Sequence, residues 1–367
     1  MGERAGAVFL DSDSSGVGDG SLTARKMTSP LRLRLNGAAL AYNWRTLAAM
    51  SGEAACGAAV KADGYGLGAV EVVKRLAAVG CRDFFVATWA EAEILAPLGV
   101  SVSVLHGVRD DDMAVALSGI ARPVLNTTAQ VERWKAAGGG ACDVMVDTGM
   151  NRLGLAVADV DNGLLEGLAI ETLMSHLACA DEDVAMNDRQ LATFTGLFGR
   201  TTAKRMSLAN SAGIGLGRHY AFDLTRPGLA LYGGVPSPEL GAIRQVVTPE
   251  AQILQRRTLH ADQTIGYNAT FTAPADTEVA ILNIGYADGY FRGFSGTGAA
   301  SFEGISLPVL GRVSMDLLAV DVDAVPHLGE GDWLALDYAL PEAALVSGMS
   351  QYELLTSLGA RFARIWE

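Results

Sequence analysis

The chain has 367 residues, half of them hydrophobic and 19% charged, which supports two sizeable cores and excludes a disordered polypeptide. A net charge of -13 argues against binding nucleic acid or an anionic membrane through bulk electrostatics, and no apolar run approaches a membrane-spanning length. Its four cysteines (Cys56, Cys81, Cys142, Cys179) are scattered without metal-ligand spacing, so neither a metal nor a disulfide framework is expected, and a reducing cytoplasm is the expected compartment.

Residues 1–27 are rich in Asp, Ser and Gly, with one four-residue apolar run at Ala7–Leu10. They read as a disordered N-terminal extension lacking the pattern of a secretory signal. From Asn36, an N-cap residue, apolar positions at Ala38, Leu40, Tyr42, Trp44 and Leu47 predict a helix. The apolar run Cys56–Val60 predicts a short buried strand, and at its end stands Lys61. Gly64, Gly66 and Gly68 follow at alternate positions, which suits backbone passing close to a ligand. A second amphipathic helix begins at Ala69 and stops at Gly80. A lysine at a strand end, with Tyr65 four residues on in a glycine-rich bend, suits pyridoxal 5'-phosphate, held covalently by the amine with the phenol available to its phosphate.

The rhythm of short apolar runs and helical segments continues. Strands are expected at Gly57–Ala62, Phe84–Thr88, Ser101–His106, Arg122–Asn126, Asp143–Thr148, Ile170–Leu177, Arg205–Ser211 and Asp223–Tyr232. Eight strand–helix alternations predict a parallel (β/α)8 barrel of the TIM type over residues 28–250. Beyond about Glu250 the pattern changes to strands and turns, with one late helix at Ser350–Leu358, so residues 251–367 are expected to form a mostly β domain. In a parallel barrel the active site lies where strands end, and the chemistry-bearing residues cluster at such ends. They are Arg152 after the fifth strand, His176 at the sixth, Ser211 at the seventh, and Arg226, Gly228 and Leu229 at the eighth.

The stretch Val60–Gly68 resembles the cofactor-lysine motif of the alanine racemases, fold-type III pyridoxal phosphate enzymes, and the resemblance recurs from about Leu31 to the C-terminus. It implies that Leu31–Leu35 pairs with the β domain. It implies further that Arg152, in Asp147–Gly154, faces the cofactor ring and the second catalytic base. His176, in Ser175-His176-Leu177-Ala178, would orient that base. Arg226 would pair with the pyridine nitrogen, leaving it unprotonated because a guanidinium keeps its protons. Ser211, Gly228 and Leu229, with Tyr65, would contact the phosphate. In the β domain, Tyr267 in Ile265–Thr272 matches the second base, and Met315 in Gly311–Asp316 matches the substrate-carboxylate segment, flanked by Arg312 and Asp316. Tyr286 matches part of the substrate entrance. Three positions depart from the family pattern: Met145 stands where a carbamylated lysine often supports the arginine, Ser314 where cysteine is common, and Gly359 or Ala360 where a further tyrosine is expected.

The implied activity is interconversion of L- and D-alanine by two bases on opposite faces of the α-carbon, Lys61 on the D side and Tyr267 on the L side. It would supply D-alanine for peptidoglycan or serve alanine catabolism. Tyr267 acts as a phenolate only with positive charge nearby, expected along a chain through His176 to Arg226. The resemblance also implies a homodimer in which Tyr267 and Met315 complete the partner's site. Two other readings are a racemase of broader amino-acid range and a non-enzymatic pyridoxal phosphate-binding barrel; the region after Glu250 argues against the second. A decarboxylase of basic amino acids would need C-terminal cysteine and aspartate motifs that are not found.

Overall fold

The computed structural model describes residues 29–367, so the expected disorder of residues 1–27 lies outside it. Eight parallel strand segments form a ring in chain order. The first is split by Gly57 into Ala55–Cys56 and Ala58–Ala59; then come Asp83–Val86, Ser101–Val104, Arg122–Leu125, Cys142–Asp147, Ile170–Met174, Arg205–Ser207 and Leu224–Thr225. Seven of them pair side by side from Ala58–Ala59 round to Arg205–Ser207, and Leu224–Thr225 pairs with Ala55–Cys56. The remaining gap is bridged by the amide of Asp223 donating to Met206 O and that of Arg226 donating to Ala209 O, at 3.0 and 2.9 Å. Gly57 has no room for a side chain, because a Cβ there would lie 2.8 Å from Asp83 O.

All eight expected barrel strands end before their apolar runs do, two of them, at Leu125 and Asp147, by a single residue. The first ends at Ala59, before Lys61, and the last ends at Thr225, with Leu229–Tyr232 forming a 3-10 turn. In both places the run stays buried while the chain turns over the barrel mouth, and burial alone does not distinguish a strand from a packed turn. The capped helices match their signals more closely. Asn36 accepts from the amide of Ala39 and starts Gly37–Ser51, and Thr127 accepts from that of Gln130 and starts Thr128–Ala136.

The second sheet is antiparallel except at one edge. Its order is 277–282, 318–321, 305–310, 299–302, 333–336, 247–259, 31–35 and 363–366, and 247–259 also pairs with 277–282, which closes six strands into a barrel. Leu31–Leu35 lies antiparallel to 247–251 and parallel to 363–366, as the resemblance implies. Its alternation is literal: Leu31, Leu33 and Leu35 are buried, while Arg32 and Arg34 both pair with Glu250. Two late helices are present rather than one, Leu340–Ser347 and Gln351–Thr356. The first was obscured because its apolar residues show no clean helical stripe.

Asn43 fastens the first helix to the end of the parallel barrel. Fully buried, it donates to Leu231 O (3.2 Å) and Arg244 O (2.8 Å) and accepts from the amide of Arg244 at 2.8 Å. Asn43→Ala leaves these main-chain groups without partners and is expected to lower the unfolding free energy by about 2–3 kcal/mol, measured by urea denaturation with an unchanged m-value.

Candidate active site

The stretch after the first strand is conformationally unusual. Ala62, Asp63, Gly64 and Tyr65 all take left-handed backbone angles, with φ of 53°, 52°, 63° and 57°. A left-handed turn costs an L-residue about 1–2 kcal/mol at each position, so neighbouring groups must hold it. Glu91 Oε1 accepts from the amide of Ala62 at 2.6 Å, and Asp63 Oδ1 accepts from that of Ala69 at 2.8 Å. Arg364, on the last strand, donates to Gly66 O through Nε and Nη2, at 2.9 and 2.7 Å. The turn carries Lys61 into a cavity, where burial first, then the Arg152 guanidinium, hold its amine below the ordinary lysine range.

That cavity, about 760 Å³, opens at the C-terminal ends of the parallel strands. Eight of the residues expected at the site line it together: Lys61, Tyr65, Arg152, His176, Ser211, Arg226, Gly228 and Leu229. Tyr65 stacks on Tyr232 at 4.7 Å, and burial raises its phenol above the usual range, so it stays protonated and able to donate. Its hydroxyl sits against the α-carbon of Gly228, where any Cβ would overlap it. Ser211 Oγ accepts from the amides of Gly228 and Ala230, at 2.9 and 3.2 Å, which leaves its own hydrogen to donate into the cavity.

Arg226 is buried and donates to Ser207 Oγ and, at 2.6 Å, to Ser175 O. Burial lowers its pKa to about 10, opposed by the buried carboxylate of Asp143, so the guanidinium keeps its charge at neutral pH. His176 is pushed down to about 3, by burial first and then by Arg226, Arg152 and Lys61, and its ring is therefore neutral. Arg226 spends these donors on Ser207 and Ser175 rather than on His176, so the expected relay of positive charge through that histidine is not formed within one chain. Met145 lines the cavity where an anionic support for Arg152 is usual in the resemblance, and among the described residues the Arg152 guanidinium has no hydrogen-bond or ion-pair partner.

The expected β-domain residues lie elsewhere. Tyr267 is 67% exposed and Met315 54% exposed. Tyr267 and Arg312 line a separate apolar groove with Ile265, Leu310 and Leu317. The turns carrying Tyr286 and Met315 are joined: the amides of Tyr286 and Ala287 donate to Ser314 O and Met315 O, both at 3.0 Å. Arg361 pairs with Asp316 at 2.8 Å and lies 2.7 Å from Asp288, a charge contact whose angle falls short of a hydrogen bond. Two residues of the cavity's surroundings had not been expected. Tyr352 enters it from helix Gln351–Thr356, whereas the resemblance points to Gly359 or Ala360 as the position of the C-terminal tyrosine. The capping box Ser350-x-x-Glu353 marks the start of that helix, while the packing of the helix against the barrel mouth sets where Tyr352 points. Glu91 was legible in the same way, through Thr88-x-x-Glu91 after the second strand.

A family model described as "Alanine racemase, N-terminal domain" matches residues 35–236, and one described as "Alanine racemase, C-terminal domain" matches residues 246–366. The chain belongs to the alanine racemase family. Relatives in this family include the alanine racemase of Rickettsia akari, 40% identical over 353 residues covering 91% of this chain and 98% of the relative. That of Rhodospirillum rubrum is 42% identical over 347 residues, covering 89% and 93%. Among solved structures, alanine racemase from Bartonella henselae with covalently bound pyridoxal phosphate has a TM-score of 0.85 at 34% identity, covering 93% of this chain and 100% of that one. The biosynthetic alanine racemase of Pseudomonas aeruginosa has a TM-score of 0.84 at 30% identity, with the same coverage. The alanine racemase fold thus accounts for both the parallel barrel and the β domain that follows it.

The neutral, half-buried His176 has a consequence for stability. Its folded pKa, about 3, lies below the unfolded value of about 6.5, so between these the unfolded chain binds the extra proton. The contribution is fully present above the unfolded pKa and is lost as pH falls, with a slope of up to about 1.4 kcal/mol per pH unit. His176→Gln should flatten the pH dependence of the unfolding free energy between about pH 6 and pH 4. Identical slopes for the two proteins would show that the imidazole is not held neutral.

Proposed function

We propose that this chain interconverts L- and D-alanine as a pyridoxal phosphate-dependent isomerase, with the cofactor held on Lys61. The observation that carries this is the single cavity in which a half-buried lysine, a buried guanidinium, a phenol and a serine hydroxyl meet beside a glycine with no space for a Cβ. These donors fit the cofactor: Tyr65, Ser211 and the backbone at Gly228 and Leu229 suit a phosphate, and Arg226 suits a ring nitrogen. Bound there, the cofactor supplies an electron-withdrawing ring that acidifies the α-hydrogen of the amino acid joined to it.

The residues of the chain supply the rest. Lys61, its pKa lowered by burial and by Arg152, serves as base on the D face. Arg226 keeps its protons and only donates, which leaves a facing ring nitrogen without one and restrains carbanion side reactions. Tyr267, from a second copy of the chain, serves the L face, beside Arg152 and His176. Met315 of that copy holds the substrate carboxylate with Arg152, Arg312 and Asp316 support its turn, and Tyr286 borders the entrance. The exposure of Tyr267 and Met315, both outside the chain's own cavity, supports a homodimer with shared sites. No described helix is long and apolar enough to cross a membrane, and we place the enzyme in the cytoplasm.

Tyr267→Phe removes the phenol and keeps the ring, and should lower racemisation by about 10²–10⁴-fold. In deuterated water the variant should still exchange the α-hydrogen of D-alanine, while that of L-alanine exchanges far more slowly; equal exchange of both enantiomers would remove Tyr267 from the mechanism. Shared sites have their own test. Lys61→Ala and Tyr267→Ala chains, each inactive alone, should recover activity when mixed, because one site of the mixed dimer carries both lesions and the other neither. Demonstrated subunit exchange without recovery would rule the shared site out.

A further inference from the structure

Glu91 does more than a helix cap requires. Its Oε2 accepts from the amides of Ala87 and Thr88, at 2.7 and 3.1 Å, while the Thr88 hydroxyl accepts from the amide of Glu91, so the start of helix Trp89–Leu95 is closed. The other oxygen, Oε1, is not needed for that closure. It reaches from the end of the second barrel strand to that of the first and takes the amide of Ala62 at 2.6 Å. Ala62 follows Lys61 directly and opens the left-handed run. The run's main-chain bonds include Gly64 N to Val60 O and Gly66 N to Ala62 O, both 2.8 Å, Gly68 N to Asp63 O at 2.9 Å and Leu67 N to Gly64 O at 3.2 Å; none of these engages the Ala62 amide.

We propose that Glu91 is a positioning residue for Lys61: by gripping the Ala62 amide it holds the turn left-handed and fixes the direction from which the lysine amine enters the cavity. This rests on the reading of Lys61 as the cofactor lysine. One carboxylate thereby joins the seat of the second strand's helix to the turn after the first, so the two βα-loops move as one. The same charge is close enough to the amine to oppose the lowering of its pKa by burial and Arg152. A positioned group loses effectiveness steeply when displaced by an ångström, and a turn of intrinsically disfavoured residues relaxes when its anchor is removed.

The test follows attachment of the cofactor rather than turnover. Full-length protein freed of pyridoxal phosphate is mixed with it, and uptake onto Lys61 is followed by absorbance and by borohydride trapping with peptide mapping. Glu91→Ala should slow uptake by about tenfold or more. Thr88→Ala, which weakens the same helix cap without touching the Ala62 amide, should lower the thermal midpoint yet leave uptake within about twofold. Glu91→Gln keeps one acceptor oxygen for three amides and should fall between, by about threefold; it carries the test if Glu91→Ala does not fold. Uptake by folded Glu91 variants equal to wild type, or Thr88→Ala slowing it as much as they do, would overturn the proposal. A label away from Lys61 in the wild-type protein would instead overturn the reading of Lys61 itself.

Discussion

Four residues wound left-handed directly after a lysine are the constraint on which the cavity is built. Ala62, Asp63 and Tyr65 carry a Cβ and resist this conformation. The turn survives because the Glu91 carboxylate, the Asp63 side chain and the Arg364 guanidinium each satisfy one of its main-chain groups or its immediate flank. Two of these anchors come from distant parts of the chain, the second βα-loop and the last strand of the β domain. The parallel barrel and the antiparallel domain therefore meet at the lysine turn. Its placement is a property of both.

Charge organises what surrounds that turn. Lys61, Arg152 and Arg226 are gathered on one cavity, and Asp143, the carboxylate that opposes Arg226, lies buried in the barrel bore with Ser103 and Arg122. The cost of burying cations appears in their neighbours: the amine of Lys61 is lowered, and the imidazole of His176 cannot take a proton near neutral pH. A cavity so biased favours an anionic ligand and a base in its free form, which is the demand that a phosphate-bearing cofactor and α-proton abstraction make. The thioether of Met145 adds nothing to that balance, and Arg152 is left with no carboxylate partner among the described residues.

The β domain presents the opposite picture. It projects Tyr267 and Met315 outward, and the turns of Met315 and Tyr286 are tied to each other through main-chain bonds and to the C-terminal segment through Arg361. The Tyr267 phenol and the Met315 segment, both exposed and outside their own chain's cavity, match the division of labour proposed between two subunits.

Much of this was legible along the chain. Alternation placed Leu31–Leu35 as a strand, cap residues placed the helices that begin after Asn36 and Thr127, and strand-end position gathered Lys61, Arg152, His176, Ser211 and Arg226 at one mouth. Such signals are local or periodic, and a parallel barrel converts strand-end position into spatial proximity. The lengths of the first and last strands, the left-handed hand of the lysine turn, the neutral state of His176 and the entry of Tyr352 into the cavity came only from the folded structure. Each depends on groups far apart in sequence: Arg364 on Gly66, Arg226 on His176, helix Gln351–Thr356 on the barrel mouth. The sequence by itself determined the two architectures and which residues carry chemistry, because periodicity and strand-end position are written locally. Tertiary structure decided how those residues are aimed and charged, because strain relief and desolvation arise only when distant segments meet.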